Sequence, residues 1–407
     1  MSQTNKLKIF NDPIYGFIGT PNELIFKLIG HPYFQRLRRI SQMGLSYLVY
    51  PGAQHTRFHH ALGCMHLMQK AINVLKFKGV SITAEEENGL LCAILLHDIG
   101  HGPFSHALEH ALIPNCSHEQ LSLLFMEELN KTCDGALETA IAIFKGVHPK
   151  QYLNQLVSSQ LDMDRLDYLK RDSFYTGVTE GNISSERLIT MLNVADNELV
   201  VEEKGLYSVE KFLMARRFMY WQVYLHKTSL VAELLLIKLI NRAKELVQKG
   251  IALEGSPRFV EVLKNSYPTM DRSSLDHFAQ LDDVDVMASL KAWQFHTDFI
   301  LSDLSRRLLH RDLLKIKIKD KPIAEEKLHQ KKEWVLKHLP IQEDELDYFL
   351  FKGEISNQAY NAEDQNIHIL RKSGKLVDVA KASDHFNLEA LSKKVVKYYA
   401  CYPKASV

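Results

Sequence analysis

The chain contains 407 residues, of which 46% are hydrophobic and 24% are charged. This composition is that of an ordinary globular protein, and the length allows one large or two medium domains. The formal net charge is only +1, so nothing global in the sequence points to nucleic acid or to an anionic membrane as a partner.

The sequence also lacks the features of a membrane or secreted protein. It contains no apolar run of the length, about eighteen residues, that a membrane-spanning helix requires, and no apolar segment follows the first residues. Its five cysteines are scattered and form no C-x-x-C pair, a pattern typical of reduced thiols rather than of a thiolate zinc site. We therefore expect a cytoplasmic protein without a membrane partner.

The first 250 residues carry mainly helical patterns. Residues 7–20 predict two short extended pieces, and Asn22 begins a helix that ends at Gly30. Beyond residue 50 the apolar positions recur at helical spacing, and Ser117 with Gln120 forms a capping box that begins one helix. The other helices predicted there cover residues 58–79, 85–97, 157–172 and 207–247, the last as one helix or two in tandem.

The pattern changes after about residue 250. Residues 255–310 predict more polar helices, and alternation with a period of two over residues 313–319 predicts a strand. Two further strands are predicted around residues 348–351 and 367–370. We therefore expect a mainly α protein, with a helical core at residues 1–250 and a smaller α+β region at residues 251–407.

Histidines are concentrated in one part of the chain. Nine of the 19 lie between His55 and His118, a stretch of 64 residues in which an even spread would place about three. Within it an apolar helix ends on His97-Asp98, two residue types that bind catalytic transition metals. The alternative is a histidine favoured by the helix C-terminus beside a solvated aspartate. The flanking leucines indicate burial, however, and a buried carboxylate needs a partner.

Two more residues complete a ligand set. His60 precedes the His97-Asp98 pair and Asp164 follows it, each within a predicted helix. Together the four would place two imidazoles and two carboxylates around one ion. Such a set suits Mn, Fe, Mg or Zn and leaves coordination positions for phosphate and water. We predict one divalent metal per active site, held by these four residues.

The order of these residues resembles a known family. His60, then His97-Asp98, then Asp164 follow the H…HD…D signature of the HD-domain metal-dependent phosphohydrolases. The match extends to the deoxynucleoside triphosphate (dNTP) triphosphohydrolases of that superfamily, over roughly residues 8–240. The resemblance implies an HD-domain helical core that hydrolyses a Mg-bound dNTP to a deoxynucleoside and inorganic triphosphate, with water attacking the α-phosphorus. The similar segments, in order, are residues 50–63, 97–106, 117–120, 162–168 and 216–227.

The resemblance also implies the catalytic groups around the metal. Arg57 would hold a phosphate oxygen, and His118, in the first turn of its capped helix, would be the general acid at the leaving 5′-oxygen. Glu109 would orient His118. His101 and His106 would line the path of the phosphates.

Helical spacing places three residues beside Asp164. Arg165, Tyr168 and Asp172 are spaced i, i+3 and i+7, so they share a helix face with it. The resemblance implies that Arg165 contacts a phosphate and that Tyr168 and Asp172 contact the sugar. Without the resemblance, a solvated charged face would be the simpler interpretation.

A second stripe and a residue pair complete the predicted substrate contacts. Arg216, Tyr224 and Lys227 are eight and eleven positions apart, which places them along one face of a helix. The resemblance implies that Arg216 meets the γ-phosphate end and that Tyr224 stacks under the deoxyribose. Gln42 and Met43 match a pair that contacts the sugar 3′-hydroxyl in the family. We hypothesise that Met43 and Tyr224 together exclude a 2′-hydroxyl.

Many members of the family are oligomers that a nucleotide activates at a second site. The resemblance places Gln35 and Arg38 in that site. Guanine-selecting members have an acidic residue where this chain has Gly30, so activation specifically by a guanine nucleotide is not expected; another dNTP, or none, stays open. A long apolar stretch near residues 230–240 favours a homo-oligomer, with dimer, tetramer and hexamer all open.

Two other functions stay open from the sequence. One is a different HD phosphohydrolase, a nucleotidase or phosphodiesterase that uses the same metal. The other is a non-catalytic regulator that binds nucleotides or nucleic acid. The complete ligand set, Arg57 and His118 argue against this second alternative, so we expect a dNTP triphosphohydrolase.

Overall fold

Helices form most of the structure, a computed structural model that describes residues 8–113, 116–265, 270–361, 366–383 and 393–406. The predicted mainly α fold class, with a C-terminal α+β region, is confirmed. None of the helices in the described ranges combines the length and the apolar character that crossing a bilayer requires.

The helices follow one another along the whole chain. In chain order they are α1 (Glu23–Gly30), α2 (Pro32–Gln35), α3 (Arg57–Phe77), α4 (Ala84–Leu96), α5 (Glu109–Leu112), α6 (His118–Thr132), α7 (Glu138–Phe144), α8 (Gln151–Val157), α9 (Met163–Thr176), α10 (Ser185–Thr190), α11 (Leu206–Met219), α12 (Lys227–Gln248), α13 (Pro257–Lys264), α14 (Arg272–Phe278), α15 (Asp283–Trp293), α16 (Phe299–Leu309), α17 (Glu326–His338) and α18 (Val379–Ala382). Short 3-10 turns at Gly44–Leu48 and Ser105–Ala107 lie between them.

The described strands are short and belong to three sheets. They are β1 (Ile9–Asp12), β2 (Gly16–Gly19), β3 (Leu192–Ala195), β4 (Glu198–Glu202), β5 (Lys315–Lys319), β6 (Phe351–Asn357), β7 (His368–Leu370), β8 (Leu376–Asp378) and β9 (Val395–Tyr402). Strands β1 and β2 form an antiparallel hairpin, β5-β9-β6 form an antiparallel sheet, and the third sheet has the order β3-β4-β7-β8. In that third sheet β4 and β7 are parallel, with Val200 opposite His368.

Helix α3 is the centre of the helical core. It begins after Thr56, whose backbone N–H donates to Nδ1 of His59 over 3.2 Å and so satisfies one of the groups left open at a helix start. The helix packs against both α4 and α9, and most of its residues are buried. A helix enclosed in this way can carry polar side chains only where other residues pair with them.

Gly63 allows α9 to approach α3 closely, because a Cβ at this position would overlap Asp167 Oδ1 and Arg171 Nη2. Oδ2 of Asp167 accepts a hydrogen bond from Nε of Arg171 over 2.9 Å and lies 2.8 Å from Nδ1 of His60. Nη1 of Arg171 also donates to Asp12 over 2.8 Å. This buried network therefore joins α3, α9 and the β1–β2 hairpin.

Several predicted elements are confirmed. The side chain of Asn22 caps α1 and that of Ser117 caps α6, both by accepting a backbone N–H of the first turn. The strand predicted over residues 313–319 is β5, and the strand predicted around residues 367–370 is β7, which pairs with β8.

Two local features differ from the sequence predictions. The helix predicted over residues 157–172 is wrong at its start, because Oδ1 of Asp162 accepts the backbone N–H of Arg165 over 2.7 Å and caps α9 there. The β3–β4 hairpin lies in a region where helical patterns predominate. Its turn residues, Asp196 and Asn197, adopt positive φ values of 51° and 64°, a conformation that these two residue types tolerate well.

One sheet contains strands from both sides of the predicted domain boundary at residue 250. Strands β3 and β4 come from the first part of the chain and β7 and β8 from the second, and all four pair in one sheet. Buried apolar residues of both parts also belong to a single core cluster. The division into two domains stays a prediction.

The substitution Gly63→Ala is expected to destabilise the protein by about 1–3 kcal/mol, because the new methyl group overlaps the Asp167–Arg171 pair. Denaturant unfolding measures the change. The control is Gly30→Ala at the exposed end of α1, where a Cβ would have no described atom within 4 Å and the expected change is below about 0.5 kcal/mol. Equal stability of the two variants would contradict the close α3–α9 contact.

Candidate active site

Three helices bring four polar side chains to one buried point. His60 lies in the first turn of α3, His97 and Asp98 follow α4, and Asp164 lies in the first turn of α9. Nε2 of His60 is 3.0 Å from Oδ1 of Asp164 and 3.6 Å from Oδ2 of Asp98. Nε2 of His97 is 3.4 Å from Oδ1 of Asp98 and 3.5 Å from Oδ1 of Asp164. The structure thus brings together all four predicted metal ligands.

This four-residue cluster fits a divalent metal. Donor atoms that each lie about 2.1 Å from one ion are separated from one another by about 3.0–3.4 Å, close to the distances seen here. Nε2 of His97 is buried and has no hydrogen-bond partner among the described residues. A bond to a metal would satisfy that nitrogen, which otherwise carries the cost of a buried polar atom without a partner.

Both carboxylates of the cluster are held in their ionised form. Burial alone would raise the pKa of Asp98, but His97 and Arg57 hold that pKa well below its usual range. Burial would likewise raise the pKa of Asp164, but His60 and His97 hold it well below its usual range. Ionised carboxylates with imidazole nitrogens form a donor set that Mn, Fe, Mg or Zn accepts.

Hydrogen bonds at the other ring nitrogens orient both histidines. Nδ1 of His60 lies 2.8 Å from Oδ2 of Asp167, and Nδ1 of His97 lies 2.7 Å from the carbonyl oxygen of Ile94. Each Nδ1–H donates to its oxygen, so Nε2 is the atom of each ring that faces the cluster and that would bind a metal there. Asp167 was not among the predicted site residues, although its position three residues after Asp164 on a helix was a usable signal.

Cys64 is a second residue that the sequence analysis missed. Its Sγ atom lies near the ligand atoms of the cluster, 3.5 Å from Nδ1 and 3.6 Å from Nε2 of His60. Nearly equal distances to both nitrogens place the sulfur over the face of the ring and not in line with the Nε2 lone pair. Burial raises the pKa of the Cys64 thiol well above its usual value. We therefore describe Cys64 as packing against the ligand.

Arg57 is fixed at the edge of the cluster. Its Nη1 donates to Asp98, and its Nε donates to Oγ of Ser105 over 2.8 Å. Ser105 and Phe104 adopt positive φ values of 49° and 51°, a strained conformation that persists only where surrounding contacts impose it. Asp283, the first residue of α15, makes such a contact because its Oδ1 accepts the backbone N–H of Phe104 over 2.7 Å.

His118 and Glu109 form a hydrogen-bonded pair. Oε1 of Glu109 accepts the backbone N–H of His118 over 2.7 Å and lies 2.8 Å from its Nδ1. With Nδ1 donating to the carboxylate, Nε2 is the ring nitrogen that would meet a substrate. The ring of His101 stacks on that of His118, with centroids 4.0 Å apart. Burial, assisted by the charge of Arg57, lowers the pKa of His101 well below its usual value, so this ring is neutral at pH 7.

A cavity of about 390 Å³ lies beside the cluster, a size found in small-molecule sites. Its walls contain most of the predicted site residues: Gln42, Met43, Arg57, Asp98, His101, His118, Asp164, Arg165, Tyr168, Asp172 and Tyr224. The face of α9 predicted from helical spacing is among them. Residues that were not predicted also line the cavity: Gly44, Ser46, Phe104, Ser105, Ala107, Tyr220 and Glu233.

Asp172 organises one wall of this cavity. The hydroxyl of Tyr224 donates to Oδ2 of Asp172 over 2.7 Å, and Nε2 of His55 lies 2.7 Å from Oδ1. The rings of Tyr168 and Tyr224 meet edge to face, with centroids 6.1 Å apart. His55 was not predicted, because its place in the histidine-rich segment does not reveal a contact with a residue so distant in the chain.

The predicted stripe from Arg216 to Lys227 is wrong as a single helical face. Helix α11 ends at Met219, Tyr220–Tyr224 form a π-helical turn, and α12 begins at Lys227. A π turn holds more residues than an α turn, so positions eight and eleven apart no longer share one face. Lys227 is exposed and does not line the cavity. The Arg216 guanidinium is buried and lies 5.9 Å from the ring of Tyr220.

Gln35 and Arg38 lie outside the cavity walls. Nε of Arg38 donates to Oε1 of Gln35 over 2.8 Å, and its guanidinium lies 3.6 Å from the centre of the Phe58 ring. Their role in a second nucleotide site stays a prediction. The side chain of His106 lies outside the described part of the structure.

Two family models match the chain. The model of the HD domain matches residues 57–172, and the model of an HD associated region matches residues 183–254. The first match begins at Arg57, ends at Asp172 and contains the whole four-residue cluster.

Two relatives cover nearly the whole chain. A phosphohydrolase of known structure from Bacteroides thetaiotaomicron is 49% identical, covers 98% of this chain and 100% of its own, and superposes with a TM-score of 0.94. The uncharacterized protein YwfO of Bacillus subtilis is 32% identical over 98% of this chain and 92% of its own length. The chain belongs to the HD-domain phosphohydrolase family.

This HD-domain phosphohydrolase also has relatives with a named activity. Human deoxynucleoside triphosphate triphosphohydrolase SAMHD1 is 28% identical over 286 residues, which make up 60% of this chain and 45% of the human protein. The HD domain implies a divalent metal, and the cluster of His60, His97, Asp98 and Asp164 has the donors to hold one.

In this HD-domain phosphohydrolase, Asp167→Asn should weaken metal binding by about 10- to 100-fold, because the neutral amide no longer fixes the His60 ring. Calorimetric titration with Mn of the metal-stripped protein measures the affinity. The matched control is Asp303→Asn on α16, which also removes a carboxylate paired with an arginine one helical turn away, over 2.5 Å. Equal affinities of both variants would show that Asp167 does not orient the ligand.

Proposed function

We propose that this HD-domain phosphohydrolase hydrolyses dNTPs to a deoxynucleoside and inorganic triphosphate. One observation carries the proposal: a single cavity contains the acidic residues of the cluster, the cations Arg57 and Arg165, the acid candidate His118, and the Asp172 wall. These are the groups needed to activate a phosphate, to bind its charge, to protonate a leaving oxygen and to hold a sugar.

The cationic groups favour a triphosphate over a single phosphate. Arg57 and Arg165 line the cavity. Nε and Nη1 of the buried Arg216 have no hydrogen-bond partner among the described residues, and a buried guanidinium without a partner anion is costly. Arg216 is not among the lining residues, but with its guanidinium at the γ-phosphate end, three guanidinium groups would match the charge of a polyphosphate chain better than that of a monoester.

The reaction would replace one P–O bond by another. A water oxygen would bond to the α-phosphorus and release one proton to solvent, the bond from this phosphorus to the 5′-oxygen would break, and its electron pair would stay on that oxygen. Nε2 of His118 would supply the proton that completes the deoxynucleoside 5′-hydroxyl, while Glu109 holds Nδ1. Arg57 would hold charge that develops on the phosphate oxygens. When bound, a divalent metal would polarise the α-phosphate and lower the pKa of a bound water.

The Asp172 wall would bind the deoxyribose. The hydrogen bond from Tyr224 to Asp172 fixes the tyrosine ring against the cavity, and Gln42 and Asp172 both offer polar groups for a 3′-hydroxyl. Met43 and Tyr224 would leave too little room at C2′ for a hydroxyl group. The nucleotide would enter with its own Mg ion.

Assembly and activation are part of the proposal as well. Phe174 on α9 and Tyr207 on α11 are large apolar side chains with 57% and 59% exposure, which supports a homo-oligomer. Gln35 and Arg38 would belong to a second nucleotide site that activates the enzyme. We propose a cytoplasmic location, where dNTPs are present.

Separating the products of each dNTP with Mn or Mg tests the proposed reaction. The expected products are the deoxynucleoside and inorganic triphosphate in equal amounts, because the bond to the 5′-oxygen breaks. Asp164→Ala should lose both the metal and the activity, whereas His118→Ala should keep the metal and lose about 10²- to 10⁴-fold in kcat.

Other product patterns would identify the alternatives. Phosphate released from dNMP, with no triphosphate from dNTP, would indicate a nucleotidase and overturn the proposal. Binding of nucleotide without any turnover would indicate a regulator. An active, metal-free Asp164→Ala variant would show that the ligand set is wrong.

Wild-type enzyme should hydrolyse dNTPs at least about tenfold more efficiently than rNTPs, since a 2′-hydroxyl would be pressed against Tyr224 and Met43. Ratios of kcat/KM for dATP and ATP measure this selectivity. Tyr224→Ala should reduce the ratio by opening space at C2′. Comparable turnover of both substrates by the wild type would refute the proposed exclusion.

A further inference from the structure

Glu233 is a carboxyl residue of the cavity wall that the proposed reaction does not use. It lies in the second turn of α12, within the otherwise apolar run of residues 230–236, and lines the same cavity as the catalytic groups. A Cβ placed on Gly44 would be 3.6 Å from Oε1 of Glu233 and 3.6 Å from the carbonyl oxygen of Phe104. The carboxyl group therefore reaches the cavity between the Gly44–Leu48 turn and the turn that begins after Phe104.

Glu233 differs from the other acids of this cavity because it has no partner. No hydrogen bond or ion pair joins its side chain to another described residue, and burial alone raises its pKa, to about 7. The other cavity acids are paired: Asp98 with Arg57, Asp164 with His60, and Asp172 with His55 and Tyr224. Glu233 is half-buried and faces the cavity, and a ligand that donates a hydrogen bond there would pair its carboxylate.

The phosphates of a dNTP are unsuitable partners for Glu233. A carboxylate repels phosphate oxygens, and the phosphates have cationic partners in Arg57 and Arg165. The sugar has Asp172 and Gln42. Glu233 lies instead near Gly44 and the backbone of Phe104. Met43 and Ala107, which are also uncharged, line the same cavity, and such residues suit the flat, uncharged base.

We infer that Glu233 contacts the edge of the nucleotide base and favours bases that carry an exocyclic amino group over thymine and uracil. The inference rests on the proposed dNTP substrate and identifies the residue of that site that would distinguish one base from another. The amino groups of cytosine, adenine and guanine each donate to a carboxylate. Thymine and uracil offer a carboxylate only the N3–H donor, which lies between two carbonyl oxygens that the carboxylate repels.

The comparison of dCTP with dUTP tests the inference in the wild-type enzyme, because the two bases differ only on the edge formed by C4 and N3, where cytosine has an amino group and a bare nitrogen and uracil a carbonyl oxygen and an N–H. At a pH well above the pKa of Glu233, kcat/KM for dCTP should exceed that for dUTP by about tenfold or more. Glu233→Gln should reduce this ratio to within about threefold, because its amide can donate to the carbonyl oxygen as well as accept from the amino group.

Glu210→Gln is the matched control. Glu210 is a buried glutamate whose Oε1 lacks a hydrogen-bond partner among the described residues, and it does not line the cavity. This variant should keep the wild-type ratio. Melting temperatures of both variants show whether each is folded, and equal wild-type efficiencies for dCTP and dUTP would overturn the inference even if Glu233→Gln does not fold.

The outcomes separate this inference from the proposed function. Triphosphate produced from dCTP and dUTP with equal efficiency by the wild type would overturn the role of Glu233 and leave the triphosphohydrolase standing. A wild-type preference that Glu233→Gln retains would assign base reading to another residue and overturn the inference. Absence of triphosphate from every dNTP would overturn the proposed function itself.

Discussion

The contact between α3 and α9 is the constraint on which the metal cluster depends. Two imidazoles and two carboxylates can converge within 3.0–3.6 Å of one another only if the helices that carry them meet closely. Gly63 permits that approach, and the buried pair of Asp167 with Arg171 occupies the space gained. Asp167 also fixes the orientation of the His60 ring. The same ion pair therefore stabilises the packing of α3 against α9 and orients a metal ligand. A buried ion pair of this kind tolerates little rearrangement.

The wall of the cavity beside the cluster contains both cationic and acidic side chains. Arg57 and Arg165 in the cavity wall would attract a chain of phosphates, whereas Asp172 and Glu233 would repel one. The proposed nucleotide substrate would satisfy both sets at once, since it carries its charge at one end and hydrogen-bond donors at the other. The family shown by the comparisons supplies the phosphohydrolase chemistry, and the distribution of charge in this chain supports a triphosphate as the substrate.

Residues far from the metal cluster in sequence hold parts of the site in place by hydrogen bonds to the backbone. Asp283 in the C-terminal part accepts the backbone N–H of Phe104 and, through its other oxygen, that of Ser41 over 2.8 Å. It thereby holds the turn that places Ser105 beneath Arg57. The π-helical turn at Tyr220–Tyr224 separates α11 from α12, and α12 places Glu233 in the cavity wall. Neither contact has a sequence signature, because each depends on how distant helices pack.

The sequence by itself determined the features that are local or ordered along the chain. The sequence predicts the caps of α1 and α6 and the shared face of α9, because capping and helical periodicity depend on residues close together in the chain. It also predicts the metal ligands His60, His97-Asp98 and Asp164, because residue type and order identify them. Only the tertiary structure decided which side chains meet across helices. His55 with Asp172, Asp167 with His60, and the partnerless carboxyl of Glu233 are set by helix packing, and packing geometry is a property of the whole core rather than of any one segment.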